Sequence, residues 1–338
     1  MKPARILLLG CSVAVMIAGC RQDESPGPPG PAGGHGTYVV NEGLLAGGGS
    51  LSFYSEDLDT MENAVVGGGL GWVFPNDMLI VGTRGYVVIN GLDEVDVIDL
   101  TSDQRLRSIP LPPSSSPEYI AGNASAIYVA NAGGSVSMIR NDSVVKTGPR
   151  VVAFPGGILM TGGRLLVSDF GAYENGMLKP GHLLVSLDTD SLTPADSQRI
   201  GSSLSGLTAV SGNVFVVSTG NSTVYELRVS NLAPVDSIAL GPYLSGDIGT
   251  DGSSLFVLNA DSVAKLSVGP LRVARSAFIA RHGGNFFYAM AVNPLNAEVV
   301  VSNIAGASTG RIEIYTPSGS LRRAPMTAGN YPGAFAFR

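Results

Sequence analysis

The chain has 338 residues, of which 21 are Lys or Arg and 27 are Asp or Glu, so it carries −6 at neutral pH. At 14% charged and 44% hydrophobic it is neither a disordered chain nor a basic nucleic-acid binder. Its 45 glycines argue against a helical bundle, because Gly costs about 1 kcal/mol per helical position, and favour many short strands joined by turns.

The first element is an address. Lys2 and Arg5 precede an uncharged apolar run from Ile6 to Ala18, too short to span a bilayer and right for a signal-peptide core. The run ends in Ile17-Ala18-Gly19-Cys20, which resembles the bacterial lipobox. That resemblance implies cleavage before Cys20, lipidation of Cys20 and anchoring in the cell envelope. Cys11 falls in the removed segment, so the mature chain has no partner for a disulfide. Removing residues 1–19 takes away Lys2 and Arg5 and no acid, so −6 becomes −8. Arg21 replaces the Asp that would signal inner-membrane retention, which leans toward the outer membrane, in its surface or periplasmic leaflet. Residues 20–36 then read as a solvated Pro/Gly tether.

From residue 37 to 338 one phrase recurs. An apolar run ends in a small polar residue at 41, 90, 131, 169, 219, 259 and 303, as in Tyr38-Val-Val-Asn41 and Val299-Val-Val-Ser-Asn303. The spacing, about 44 residues, is that of propeller blades. Each run is followed by an alternating strand, such as Ser135-Val-Ser-Met-Ile-Arg140, read as half-covered, and then by an outer strand. An inner strand precedes each run, for example Tyr119–Gly122 or Tyr288–Val292. Blade 1 lacks its inner strand at the N-terminus, and Gly333-Ala-Phe-Ala-Phe-Arg338 supplies it from the other end. The expectation is an all-β, seven-bladed β-propeller of four-stranded antiparallel blades, its ring closed by the C-terminal strand.

Tyr38-Val-Val-Asn-Glu-Gly43 with Gly49-Ser-Leu-Ser-Phe-Tyr54, and Tyr128-Val-Ala-Asn131 with Gly134-Ser-Val-Ser-Met-Ile139, resemble the YncE-like propeller family. They look more closely like its surface-lipoprotein branch with the DUF5074-type domain. The resemblance covers residues 37–338 and rests on scaffold motifs. It implies a lipid-anchored binding protein, and as its sharpest form the capture of cobalamin or a similar large cofactor for a TonB-dependent transporter.

Two sets of loops should open on one face of such a ring. The outer-to-inner loops carry Trp72, Phe74, Tyr119, Arg150, Phe154, Tyr243, Arg281, His282, Phe286, Phe287, Tyr288 and Tyr331. An aromatic floor with a few polar anchors would suit a large flat ligand; rings that merely cap the blade cores are the competing reading. The longest middle loop, 169–182, adds Asp169, Tyr173, Glu174 and Lys179.

Enzyme signatures are weak. The three histidines include His35 in the tether, which leaves too few for a three-His metal site. There is no nucleophile elbow, and the single Trp disfavours the repeated-Trp quinoprotein propellers. Asp57-Leu-Asp59 and Asp188-Thr-Asp190 lack the Gly and Glu of a calcium loop and read as turn residues. The expectation is therefore a non-enzymatic binder needing no cofactor, monomeric by itself, partnered by the membrane and an envelope protein and not by nucleic acid. A cell-envelope interaction scaffold and a lactonase-like, metal-dependent hydrolase remain the alternatives.

Overall fold

The computed structural model describes residues 34–338 apart from 45–46, 242–243, 260–261, 282–285 and 305–308. The segment expected to be a signal peptide, Cys20 and most of the expected tether lie outside the described residues, as do Tyr243 and His282.

Seven four-stranded antiparallel sheets follow one another round a ring. In blade 2 the order is Pro75–Val81, Arg84–Ile89, Glu94–Asp99 and Gln104–Pro110, running from the centre outward. Blade 1 is composite. Its inner strand is Pro332–Phe337, which pairs antiparallel with Gly36–Asn41 in the register Tyr38↔Ala336 and Val40↔Ala334. The closing strand foreseen from residues 333–338 is thus present.

The second strand of each blade is buried on both faces, as the unbroken apolar runs require. Val39, Val40, Val87, Val88, Val129, Leu166, Val216, Val257 and Val301 have no exposed surface. Each such side chain, wedged between adjacent blades, contributes about 1.5–3 kcal/mol. The third strand differs from expectation. Its alternation predicted a half-covered strand, yet Ser50–Ser55 is buried throughout and Ser52, Ser137 and Ser186 have no exposure. Blades stack face to face, so at these positions both faces of the strand are shielded from water. The polar positions are satisfied internally instead. The Asn41 amide donates to Ser50 and Ser52, and the Asn131 amide to Ser135 and Ser137. The small polar residue ending each apolar run is thus, in blades 1 and 3, a cap on the serines of the next strand.

Inner strands begin earlier than their sequence suggested. Pro117–Gly122, Leu204–Val210 and Phe286–Val292 start two or three residues ahead of the apolar runs. The reason is a β-bulge near the start of every inner strand, between Pro75 and Asp77, Pro117 and Tyr119, Pro155 and Gly157, and at the matching points of the other four blades. A bulge shifts the side-chain alternation by one and hides the period of 2. In four blades the strand opens with Pro, which is tolerated at a first strand position.

Three seams share a further device. The hydroxyl of Tyr38 in blade 1 donates to Asp103 in the outer turn of blade 2, at 2.6 Å. Tyr86 in blade 2 donates to Asp142 of blade 3 at 3.0 Å, and Tyr128 of blade 3 to the Thr189 carbonyl of blade 4 at 3.0 Å. In blades 5 and 6 Phe215 and Phe256 are buried without a hydroxyl to offer.

Candidate functional site

The two loop sets do open on one face, and a recurring hydrogen bond ties them together. The residue just after the second strand donates its N–H to the carbonyl of the residue just before the inner strand. The pairs are Asn90 to Phe74, Ala132 to Ser116, Phe170 to Phe154, Thr219 to Ser203 and Glu42 to Tyr331, all 2.9–3.1 Å. Phe74, Ser116, Phe154, Ser203 and Tyr331 therefore occupy one equivalent position around the rim. Four of them, all but Phe154, have positive φ of 41 to 52°, a conformation unusual for side chains of this bulk.

Inside this rim lies a funnel of about 1040 Å³ formed by the inner strands. Tyr119, Phe154, Ile158 and Leu207 form its apolar wall on blades 3 to 5, facing Met290 and Phe335 of blades 7 and 1. Serine and threonine hydroxyls at Ser203, Ser205, Thr219 and Ser245 break that wall. Blades 4 to 6 line the funnel with very small residues for a steric reason. A Cβ on Gly156 would run into the Leu204 carbonyl, and one on Gly206 into that of Gly246.

The long middle loop expected over residues 169–182 is largely a β-hairpin. Gly171–Glu174 pairs with Met177–Pro180 around Asn175 and Gly176, both at positive φ (51° and 76°). That is the primed turn an Asn-Gly pair favours, and Asn175-Gly176 was the available signal for it. Asp169 sets the hairpin's base. It is buried, and its Oδ1 accepts the N–H of Ala153 at 3.0 Å and of Gly171 at 3.2 Å. Gly171 sits at φ 107°, and a Cβ there would strike the Lys179 carbonyl. From this base Ala172, Tyr173 and Leu178 overhang the funnel, with Tyr173 46% exposed.

The funnel's two acidic residues are Asp77 and Asp247. Each reaches across a seam: Asp77 accepts the N–H of Ile120 at 3.1 Å, and Asp247 that of Met290 at 2.8 Å. An inner strand is a sheet edge, so its outward N–H groups have no ladder partner, and a carboxylate from the preceding blade fills the role. Neither residue was singled out from the sequence; an acid two residues after Pro75, within an inner strand, was the signal available for Asp77.

Of the candidate residues, Tyr119, Phe154 and Tyr173 come together at the funnel. Others do not. Trp72 is only 1% exposed, in the core between blades 1 and 2, where its indole donates to buried Asp96 at 2.6 Å. Phe287 is buried between blades 6 and 7. Tyr288 is buried too, its hydroxyl donating to Glu42 and its ring edge-on to Tyr331 at 5.9 Å. For these rings packing, not ligand contact, is what the geometry provides. Phe74 and Tyr331 are half-buried on the rim. Phe286 is 56% exposed, with the Arg281 guanidinium 5.3 Å above its ring. Arg150 lies outside the funnel and donates to the Val152 and Ala153 carbonyls. Glu174 and Lys179 are exposed on the hairpin. Asp188, of the suspected calcium-loop fragments, accepts the N–H groups of Asp190 and Ser191, as a turn residue does. Among the described residues no group of three or more His, Cys, Asp or Glu is placed to hold a metal ion.

No protein-family model matches the sequence, and no curated protein matches it. Solved structures do match in fold. A Bacteroides fragilis protein provisionally named a 6-phosphogluconolactonase superposes with a TM-score of 0.67 at 16% identity, covering 92% of this chain and 100% of its own. A periplasmic gluconolactonase from Pseudomonas aeruginosa gives 0.65 at 16% identity, covering 90% and 98%. A quinonprotein alcohol dehydrogenase-like protein from Bacteroides thetaiotaomicron gives 0.67 at 14%, covering 89% and 78%. At such identities the likeness is one of fold, and this fold hosts many functions.

Proposed function

We propose that the chain is a lipid-anchored, extracytoplasmic β-propeller whose work is binding, and that its ligand sits in the funnel under the blade 4 hairpin. The lipobox at Cys20 and the Pro/Gly tether support the anchor. One observation carries the binding reading: a cavity of about 1040 Å³ with aromatic walls at Tyr119, Phe154 and Phe335, overhung by Tyr173 and Leu178. Small-molecule sites run to about 1,000 Å³, so this one has room for a large planar ligand. Cobalamin, passed on to a TonB-dependent transporter, is the specific form that the resemblance to surface lipoproteins suggests. The funnel's two acids are each engaged with a neighbouring blade's N–H, which favours a structural duty for them over hydrolysis.

The test is a spectroscopic titration of the detergent-extracted chain with cobalamin, beside Tyr173→Ala and Phe154→Ala. Saturable binding weakened at least about tenfold by either change supports the reading. Turnover of glucono-lactone that depends on Asp77 or Asp247 would overturn it in favour of the hydrolase.

A further inference from the structure

The base of the ring, at the end opposite the funnel mouth, carries an apolar patch of its own. Leu58 is 63% exposed, Leu295 65% and Leu321 38%. Leu58 sits in the turn after Ser50–Ser55, Leu295 in the turn after Phe286–Val292 and Leu321 in the turn after Thr309–Tyr315. All three turns belong to blades 1 and 7, and hydrogen bonds tie them together. Glu56 accepts from the Asn293 and Asn296 amides, Arg322 donates to Glu298 at 2.9 Å, and Arg323 donates to Asp59 at 2.6 Å. The two guanidinium groups are thereby engaged with acids, while the three leucines face solvent. The N-terminal segment enters the ring at the same place. His35 donates its N–H to the Asp57 carboxylate at 2.9 Å, and its carbonyl accepts the N–H of Glu56 at 3.0 Å. Met177 and Phe286 are comparably exposed but lie on the funnel face, so exposure alone does not choose between the two ends. The point of entry of the chain does.

We infer that Leu58, Leu295 and Leu321 rest in the interface of the bilayer that holds the lipid anchor, so that the funnel mouth opens away from that membrane toward the aqueous side. This rests on the anchor at Cys20 proposed above. Fully extended, residues 20–34 span at most about 50 Å, so a lipidated Cys20 keeps the base close to the bilayer and presents the leucines to it at high effective concentration. Single exposed leucines are ordinary, but three on linked turns beside the attachment point are placed to leave water for lipid together. The contact is apolar and needs no anionic headgroup, because Arg322 and Arg323 already have their acids. Three side chains bury no more hydrocarbon than one fatty acyl chain, a grip that is reversible. The ring can therefore lift and turn toward a transporter in the same membrane within the reach of residues 20–34.

The test uses the full chain, extracted from membranes and reconstituted into phosphatidylcholine vesicles that carry a spin-label quencher on the headgroup. A lipidated Cys20 has no free thiol, so Leu58→Cys, Leu295→Cys and Leu321→Cys each accept one thiol-reactive fluorophore. Asn175→Cys, on the hairpin of the funnel face, is the control for the opposite end, and thermal melting checks the fold of each. Each labelled base position should be quenched at least about threefold more than the label at Asn175. With the label at Leu321, changing Leu58→Ser and Leu295→Ser together should at least halve that difference while the chain still floats with the vesicles. Quenching at Leu295 equal to or weaker than at Asn175, or a difference indifferent to the two serines, overturns the leucine contact and leaves the anchor standing. A chain that stays behind when the vesicles float overturns the anchor, and the contact with it.

Discussion

Trp72 shows why a single residue's type is a poor guide to its duty. As the only tryptophan, on a loop of the ligand face, it invited a binding role. Its neighbours settle otherwise, because Asp96 has no exposure and needs a donor. Trp72 Nε1 gives one at 2.6 Å and Arg105 a second at 3.3 Å, both to Oδ2, while Oδ1 has no hydrogen-bond partner. Trp72→Phe keeps an aromatic ring in the core but strips the carboxylate of its closer donor. Urea unfolding should show a loss of about 2–4 kcal/mol with ligand affinity unchanged. A stable variant that no longer binds would return Trp72 to the site. Glu56 makes a second residue-scale case, at the far end of the blade 7–blade 1 seam. It accepts from the Asn293 amide at 3.1 Å and the Asn296 amide at 3.3 Å. Burial, and then the charge of Glu298, push its carboxyl above the ordinary range, while Arg322 pulls it part of the way back. The folded chain thus holds that proton more tightly than the unfolded one. Its contribution to stability is complete below the unfolded value and is lost as pH rises through the raised folded value. Glu56→Gln keeps an oxygen acceptor and removes the charge. It should melt above the parent at pH 7.5, by less than about 1 kcal/mol, and the gap should close toward pH 4. A gap that does not change with pH sinks this account.

At the scale of elements, the legible parts were those with an unbroken pattern. The second strands announce themselves because burial on both faces demands continuous apolar residues, as in Phe215-Val-Val-Ser-Thr219. Inner strands are blurred by their bulges, and so the pattern leaves Phe286 and Phe287 in a loop although they belong to the strand that Tyr288 continues. The same blur hid Asp77 and Asp247, whose importance comes from contact with the next blade, a relation of residues about 43 apart. The hairpin of blade 4 was hidden by composition: its polar and aromatic mix looks like a loop, and its strands are four residues each. It forms a sheet of its own and pairs with no blade strand. Its stability is therefore separable from that of the ring. Replacing residues 172–179 with a short glycine link should shift the melting temperature by no more than about 2 °C. It should also cut ligand affinity at least about tenfold by removing Tyr173 and Leu178 from the rim. A large drop in melting temperature would instead make the hairpin part of the scaffold.

For the whole molecule, the sequence read the ring correctly because a period near 44 residues survives every local irregularity, and a missing first strand has to be made up at the other end. Closure binds three blades at once. Pro332–Phe337 pairs with Gly36–Asn41, Ala336 packs with Tyr38 and Phe53 in the core between blades 1 and 2, and Phe335 and Phe337 pack against the core shared with blade 7. The Arg338 guanidinium donates to the Leu100 carbonyl of blade 2. A chain ending at Tyr331 would expose the edge of Gly36–Asn41 and lose three funnel-lining residues, Gly333, Ala334 and Phe335. An open apolar edge of that kind invites aggregation. The loss should exceed about 5 kcal/mol, enough to unfold a marginally stable domain. A permuted chain separates closure from mere loss of residues. Gly36 and Arg338 exchange two backbone hydrogen bonds, at 3.1 and 2.9 Å, so a two-residue turn can join 338 to 36. With the tether leading into 332–338, then that turn, then 36–331, all native pairings are restored with both blade 1 strands adjacent in sequence. This permuted chain should be recovered folded, melt within a few degrees of the parent and bind ligand as well, while the truncated chain aggregates. If the truncation alone stayed folded, the ring would owe its closure to packing between blades 1 and 7, and the C-terminal strand would be an accessory.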